Sequence, residues 1–146
     1  MRVHPPYIGL LMNKSDKMLS LAKDVIKNSY SPYSNFAVAC VVRTDQGNYY
    51  CGVNMENASF PEGVCAEGTA LGAMVSAGER HVAEVVIYCK DDNLGFPCGG
   101  CRQRLAEFSV ADVPVHTCNE LNGLVQTTTI GELLPHGFSL TGEKNV

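Results

Sequence analysis

Several absences narrow this chain before any motif is considered. No run of lysine and arginine stands out: 11 basic residues face 15 acidic ones, for a formal net charge of −4. That balance argues against a nucleic-acid polymer as partner and favours a small molecule. No segment approaches the roughly 20 consecutive apolar residues a membrane-spanning helix needs. Residues 1–7 carry prolines and one arginine but no apolar run, so no secretory signal is expected there. Internal repeats, low-complexity stretches and interdomain linkers are also missing. At 146 residues, with 45% hydrophobic and 18% charged side chains, the chain fits a single domain over 1–146 with a real core. Residues 1–12 are expected to form a loose arm and residues 139–146 a frayed tail.

Cysteine is the residue present in quantity: Cys40, Cys51, Cys65, Cys89, Cys98, Cys101 and Cys118. An odd number without a secretory signal points to a reducing, cytoplasmic setting where thiols bind metal or pack. Cys40 and Cys89 sit in apolar, strand-like runs and read as core.

The periodicity predicts a helix from about residue 13 to 30. Asn13 or Ser15 is placed to cap it, and Met18, Leu19, Ala22, Val25 and Ile26 fall at helical spacing. Pro32 ends it. Residues 36–42 and 49–53 read as a hairpin broken by Thr44-Asp45-Gln46-Gly47-Asn48. A helix is expected over 65–77 with Gly78 as its stop, then a central strand over 84–89, a helix over 98–108, strands over 113–118 and 124–129, and a short helix over 130–134. This α-β-β-α-β-α-β-β-α order implies a five-stranded mixed sheet in a three-layer α/β/α sandwich. The strands flanking the second long helix should run parallel across a right-handed crossover.

Two segments carry the chemistry: Cys65-Ala66-Glu67 and Pro97-Cys98-Gly99-Gly100-Cys101. Both open a predicted helix. A helix start offers unpaired N–H groups and partial positive charge, which stabilise thiolates. Cys98 and Cys101 lie one turn apart, so both sulfurs reach one metal. Three thiolates fill three corners of a zinc tetrahedron and leave the fourth open. Zinc lowers the pKa of water it binds from about 15.7 to about 7. Glu67, two residues from a ligand, is better placed to move protons than to ligate. Other readings of the same residues stand beside this one. A lone Cys-x-x-Cys also suits a redox pair, or half of a structural zinc site completed by Cys89 or Cys118. Phe36 could be core, Asn54 a turn residue and Glu56 a solvated loop charge, while Phe60 and Phe138 could be local packing.

Only the joint pattern shifts the balance among these. Three thiols with a nearby glutamate match the all-cysteine form of the zinc nucleobase deaminase signature. Over about residues 19–138 the chain resembles the small, homotetrameric, zinc-dependent cytidine deaminases. The resemblance rests on Ser31-Pro32-Tyr33-Ser34-Asn35-Phe36, Gly52-Val53-Asn54-Met55-Glu56-Asn57-Ala58, Cys65-Ala66-Glu67, Pro97-Cys98-Gly99-Gly100-Cys101-Arg102-Gln103 and Glu132-Leu133-Leu134-Pro135. It implies a cytidine-deaminase-like sandwich and a hydrolase converting cytidine and 2′-deoxycytidine to the uridine counterparts and ammonia, in pyrimidine salvage. Cys65, Cys98 and Cys101 would ligate one Zn2+ per subunit, and Glu67 would shuttle protons. Phe36 would border the pyrimidine, the Ala66 backbone would meet its 2-oxo group, and Asn54 and Glu56 would bind the ribose. Phe60 and Phe138 would reach the sites of neighbouring subunits in a homotetramer.

The chain departs from that family in places that gather at the pocket. Gly68 stands where the family usually has an arginine that donates to ligand sulfurs. Phe60 replaces a frequent Tyr, Gly100 a usual Ala, and Asn35 a common His. Arg102 could bring positive charge, although the family carries it as well. The loss at Gly68 implies a lowered rate, a shifted pH profile or a pocket suited to another substrate. It keeps two further readings open: a deaminase of a modified cytosine nucleoside or blasticidin S-like analogue, and a zinc-holding homologue without activity.

Overall fold

The computed structural model describes residues 14–140. The expected arm over 1–12, the Asn13 cap and residues 141–146 of the tail lie outside them. The first helix, α1, spans Lys14–Val25 and ends in a single tighter turn. Ser15 lies inside it and donates its hydroxyl to Glu84 at 2.6 Å. The hairpin is β1 (Val38–Thr44) and β2 (Tyr49–Val53), turned by Gly47 at φ +83°. Then come α2 (Ala66–Ser76), β3 (Val82–Cys89), α3 (Gly99–Glu107), β4 (Pro114–Asn119), β5 (Gly123–Thr129) and α4 (Ile130–Leu133). Thr129 and Glu132 close a reciprocal capping box on α4.

The sheet is mixed, in the order β2-β1-β3-β4-β5. β1 runs antiparallel to both neighbours, β3 and β4 run parallel, and β5 returns antiparallel. Alternation along β1 splits the core in two, as the period of a strand requires. Cys40 and Val42 face α2, α3 and α4, while Ala39 and Val41 face Met18, Ala22 and Ile26 of α1. Helices therefore cover both faces of the sheet, as expected.

β1 begins at Val38 rather than at residue 36. Asn35 adopts φ +56°, a left-handed turn that asparagine tolerates better than most residues. The Asn54 side chain then accepts from the Val38 N–H and donates to the Phe36 carbonyl. A side chain thus replaces the first rungs of the ladder and leaves Phe36 outside the sheet.

The topology places both helix starts together. β2 and β3 each oppose β1, so they point the same way, and α2 and α3 follow them at the same end of the sheet. Gly52 of β2 sets the fit of α2. A Cβ there would lie 2.3 Å from the Ala70 amide nitrogen and 2.4 Å from the Ala66 carbonyl oxygen. Only glycine lets the first turns of this helix approach so closely.

Candidate active site

Cys65 and Cys98 sit at the N-caps of α2 and α3, both with extended backbone. Cys101 follows Cys98 by one turn and is fully buried. The three sulfurs lie within 4.8 Å of one another and form the metal-ligating cluster found among the described residues. Cys65 and Cys98 are 3.9 Å apart at sulfur. A tetrahedral zinc with Zn–S bonds near 2.3 Å wants sulfurs roughly 3.8 Å apart, a spacing the Cys65–Cys98 pair already has and the third sulfur lies close to. Cys89 and Cys118 are not part of the cluster, which leaves three protein ligands and an open position, the catalytic pattern rather than the structural one.

Glu67, on the first turn of α2, is 4% exposed. Burial raises its pKa, and its own backbone N–H, Cys101 and the charge of Arg104 offset that only in part. The thiols differ among themselves. The Cys101 backbone N–H holds the Cys98 thiol below its ordinary value. Burial pushes Cys65 up, and it pushes Cys101 up further, with Glu67 and Cys65 adding repulsion. Helix starts were expected to lower every thiol; desolvation and mutual charge reverse this at two of three. Metal binding requires the thiolate forms, so a bound cation would draw all three sulfurs toward them.

The thiols open onto a cleft of about 340 Å³ that brings together Phe36, Asn54, Glu56, Cys65, Ala66, Glu67 and Cys98. Glu56 is held in place by the backbone N–H groups of Tyr33 and Ser34 and by the Ser34 hydroxyl. The same hydroxyl bond, assisted by those amides, lowers its pKa. Asn54 accepts from Ser29 and Val38 and donates to Phe36, so it is framework as well as cleft wall. Phe60 and Phe138 do not line this cleft. Phe60 is 75% exposed and meets Tyr33 edge-on at 5.7 Å. Phe138 is 69% exposed, with its backbone pinned at both N–H and C=O by the Gln103 amide.

Sequence reasoning missed part of the wall. Leu94, Gly95 and Phe96 border the cleft. Gly95 lets their loop lie against the end of β3, since a Cβ would fall 2.6 Å from the Cys89 sulfur. The signal was there in the glycine and phenylalanine directly ahead of Pro97. Arg102 donates to the carbonyls of Pro97 and Leu133, clipping the cysteine turn to α4 instead of serving the sulfurs. The arginine at sulfur is Arg104, whose Nη1 lies 3.6 Å from Cys101 Sγ. Its spacing of three residues from Cys101 on one helix face could have revealed it.

Comparison with known proteins agrees with this geometry. Residues 12–117 match the family model described as the cytidine and deoxycytidylate deaminase zinc-binding region. Cytidine deaminase of Mycoplasma genitalium is 39% identical over 115 residues, covering 78% of this chain and 87% of that protein. That of Sporosarcina psychrophila is 36% identical over 124 residues, covering 85% and 90%. The crystal structure of cytidine deaminase from Burkholderia pseudomallei superposes with a TM-score of 0.78 at 34% identity, covering 84% of this chain and 97% of that one. With its three clustered thiols, its adjacent buried glutamate and these relatives, the chain belongs to the cytidine and deoxycytidylate deaminase family.

Proposed function

We propose that this protein hydrolytically deaminates cytidine and 2′-deoxycytidine, giving uridine and 2′-deoxyuridine with release of ammonia. The observation that carries this is a buried Glu67, its pKa raised by that burial, beside three thiols at the head of one cleft. Zinc held by Cys65, Cys98 and Cys101, one ion per subunit, supplies the Lewis acidity that makes water nucleophilic near neutral pH. Glu67 takes the first proton from the attacking water and delivers it to ring N3, then takes the second from the hydroxyl newly bound at C4 and delivers it to the departing amine as the 4-oxo group forms. Its raised pKa suits a group that must both accept and return a proton at working pH. One oxygen is added at C4 and one ammonia leaves.

Around that centre Phe36 borders the pyrimidine, and the Ala66 backbone faces its 2-oxo group. Glu56, already ordered by three donors, accepts from a ribose hydroxyl, and Asn54 offers its second amide hydrogen. Exposed Phe60 and Phe138 complete the sites of neighbouring subunits in a homotetramer. No helix among the described residues is long and apolar enough to cross a membrane; the proposed cytoplasmic role in pyrimidine salvage rests on the likeness to cytidine deaminases.

The test is loss of the 4-amino chromophore in the ultraviolet, with zinc-loaded protein and a panel of cytosine nucleosides. Turnover of cytidine that Glu67→Gln abolishes is expected. Zinc-loaded protein that turns over only modified analogues, or nothing, overturns the reading.

A further inference from the structure

The positive group at the thiols reaches them through a gap between the two helix starts. Gly68, on the first turn of α2, would place a Cβ 3.9 Å from Arg104 Cδ. Gly100, on the first turn of α3, would place one 3.5 Å from Arg104 Nη1 and 4.0 Å from Cζ. The contacts with Arg104 are of ordinary length, so an alanine would just touch the arginine, and at Gly68 it would also press on Val64 Cγ1 at 3.2 Å. Any longer side chain directed the same way would run into it. The two glycines are therefore walls of a slot, one from each helix, and Arg104 lies in it with Nη1 on the Cys101 sulfur. Cys101 is fully buried, whereas the outer part of Arg104 faces a groove shared with Val64, Leu71 and Val75.

Charge explains why such a slot is useful. Three thiolates and a divalent zinc sum to −1, with the Glu67 carboxylate beside them. A guanidinium is always charged and its planar fork donates without titrating. Donation to a ligand sulfur withdraws electron density from it, which leaves the metal a stronger Lewis acid, and such outer partners change metal affinity or activity by about 10- to 100-fold.

We infer that Arg104, admitted by Gly68 and Gly100, is the positioning residue that balances the charge of the thiolate site and tunes its metal. This rests on the reading of Cys65, Cys98 and Cys101 as a zinc site. Arg104 does not touch substrate in this scheme; it acts through Cys101.

The test compares wild type, Arg104→Gln and Arg104→Lys by zinc competition against a chromophoric chelator. Each protein is also loaded with Co2+ to read the sulfur-to-metal charge-transfer band. Arg104→Gln is expected to weaken zinc binding about tenfold or more and to move the band to longer wavelength, because the sulfur becomes more electron-rich. Arg104→Lys, which keeps the charge but loses the fork, should fall between the two. Thermal melting of the metal-free proteins separates folding from metal chemistry. Zinc affinity and band position unchanged in Arg104→Gln would overturn the inference, as would a loss confined to the metal-free melting temperature. Wild type that binds no zinc would overturn the proposed function with it; normal zinc binding in wild type alongside an unaffected variant overturns this inference alone.

Discussion

Glu67 and Glu84 are both buried carboxylates, 4% and 7% exposed, yet they titrate in opposite directions. In each, burial is the largest influence and raises the pKa. At Glu84 it is outweighed. Ser15 and His116 meet one oxygen, Arg43 meets the other through two nitrogens, and the net pKa falls. Glu67 has too few donors, and its net pKa rises. Glu84 is the more open of the two to solvent around it, but it is the donor supply that takes its net pKa below the ordinary value while that of Glu67 rises. Donors favour the ionised form of Glu84, and their scarcity at Glu67 favours the protonated form relative to an ordinary glutamate.

The sharpest way to break this contrast is Glu67→Gln. Activity should fall by about 10²- to 10⁴-fold, the usual contribution of a general acid/base, while the thermal midpoint stays level or rises because a poorly served buried charge has gone. Steady-state rates with a melting curve on the same sample check both halves. Glu84→Ala should do the reverse. It strands Arg43 and His116 and costs about 2 kcal/mol, below the roughly 3–5 of a fully enclosed pair because water screens part of this one. Urea unfolding measures that cost, and kcat of the folded fraction should hold.

Comparable in size is Gly52→Ala. Its Cβ would overlap Ala70 and Ala66 backbone, costing about 1–3 kcal/mol of overpacking and displacing Glu67 with its helix. Unlike Glu84→Ala, it should lower kcat and stability together. Acid sensitivity gives a smaller effect. The folded pKa of Glu84 lies below its ordinary 4.5, so the native state binds fewer protons than the unfolded one. The stability it contributes is complete above 4.5 and drains away as pH falls through that value toward the lower folded one. Urea midpoints followed down this range should decline less steeply in Glu84→Gln than in wild type. Smallest is Glu56→Gln, a donor-rich carboxylate at the cleft rim. It should raise KM by about tenfold, one good hydrogen bond, with less change in kcat.

What the sequence disclosed follows the same division between local and tertiary causes. The ligand set was legible because the thiol spacing and the helix starts are local, and the sheet was legible from period-two runs and turn residues. The bounds of α2 and α3 came within a residue because Gly78 and the N-cap cysteines mark them, whereas α1 stops at Val25 and tightens into a single turn short of the expected end near residue 30. The start of β1 was misplaced because a side chain distant in sequence, Asn54, takes over its first hydrogen bonds. The titrations of Cys65 and Cys101, unlike that of Cys98, were misjudged because burial and neighbouring charge belong to the assembled site. Arg104 went unseen for a related reason. Its partner is one turn away, but the gap that admits it exists only once two helices meet.

The strand order that brings those helices together also fixes their separation. β2 and β3 stand two places apart with β1 between them, about 9.6 Å at the usual strand spacing. Packed helices sit about 8–10 Å apart. The lattice of the sheet is thus a ruler for the metal site: it sets the distance between Cys65 and the Cys98–Cys101 pair by counting strands. Loops may vary in length around it without changing the span the sulfurs must bridge.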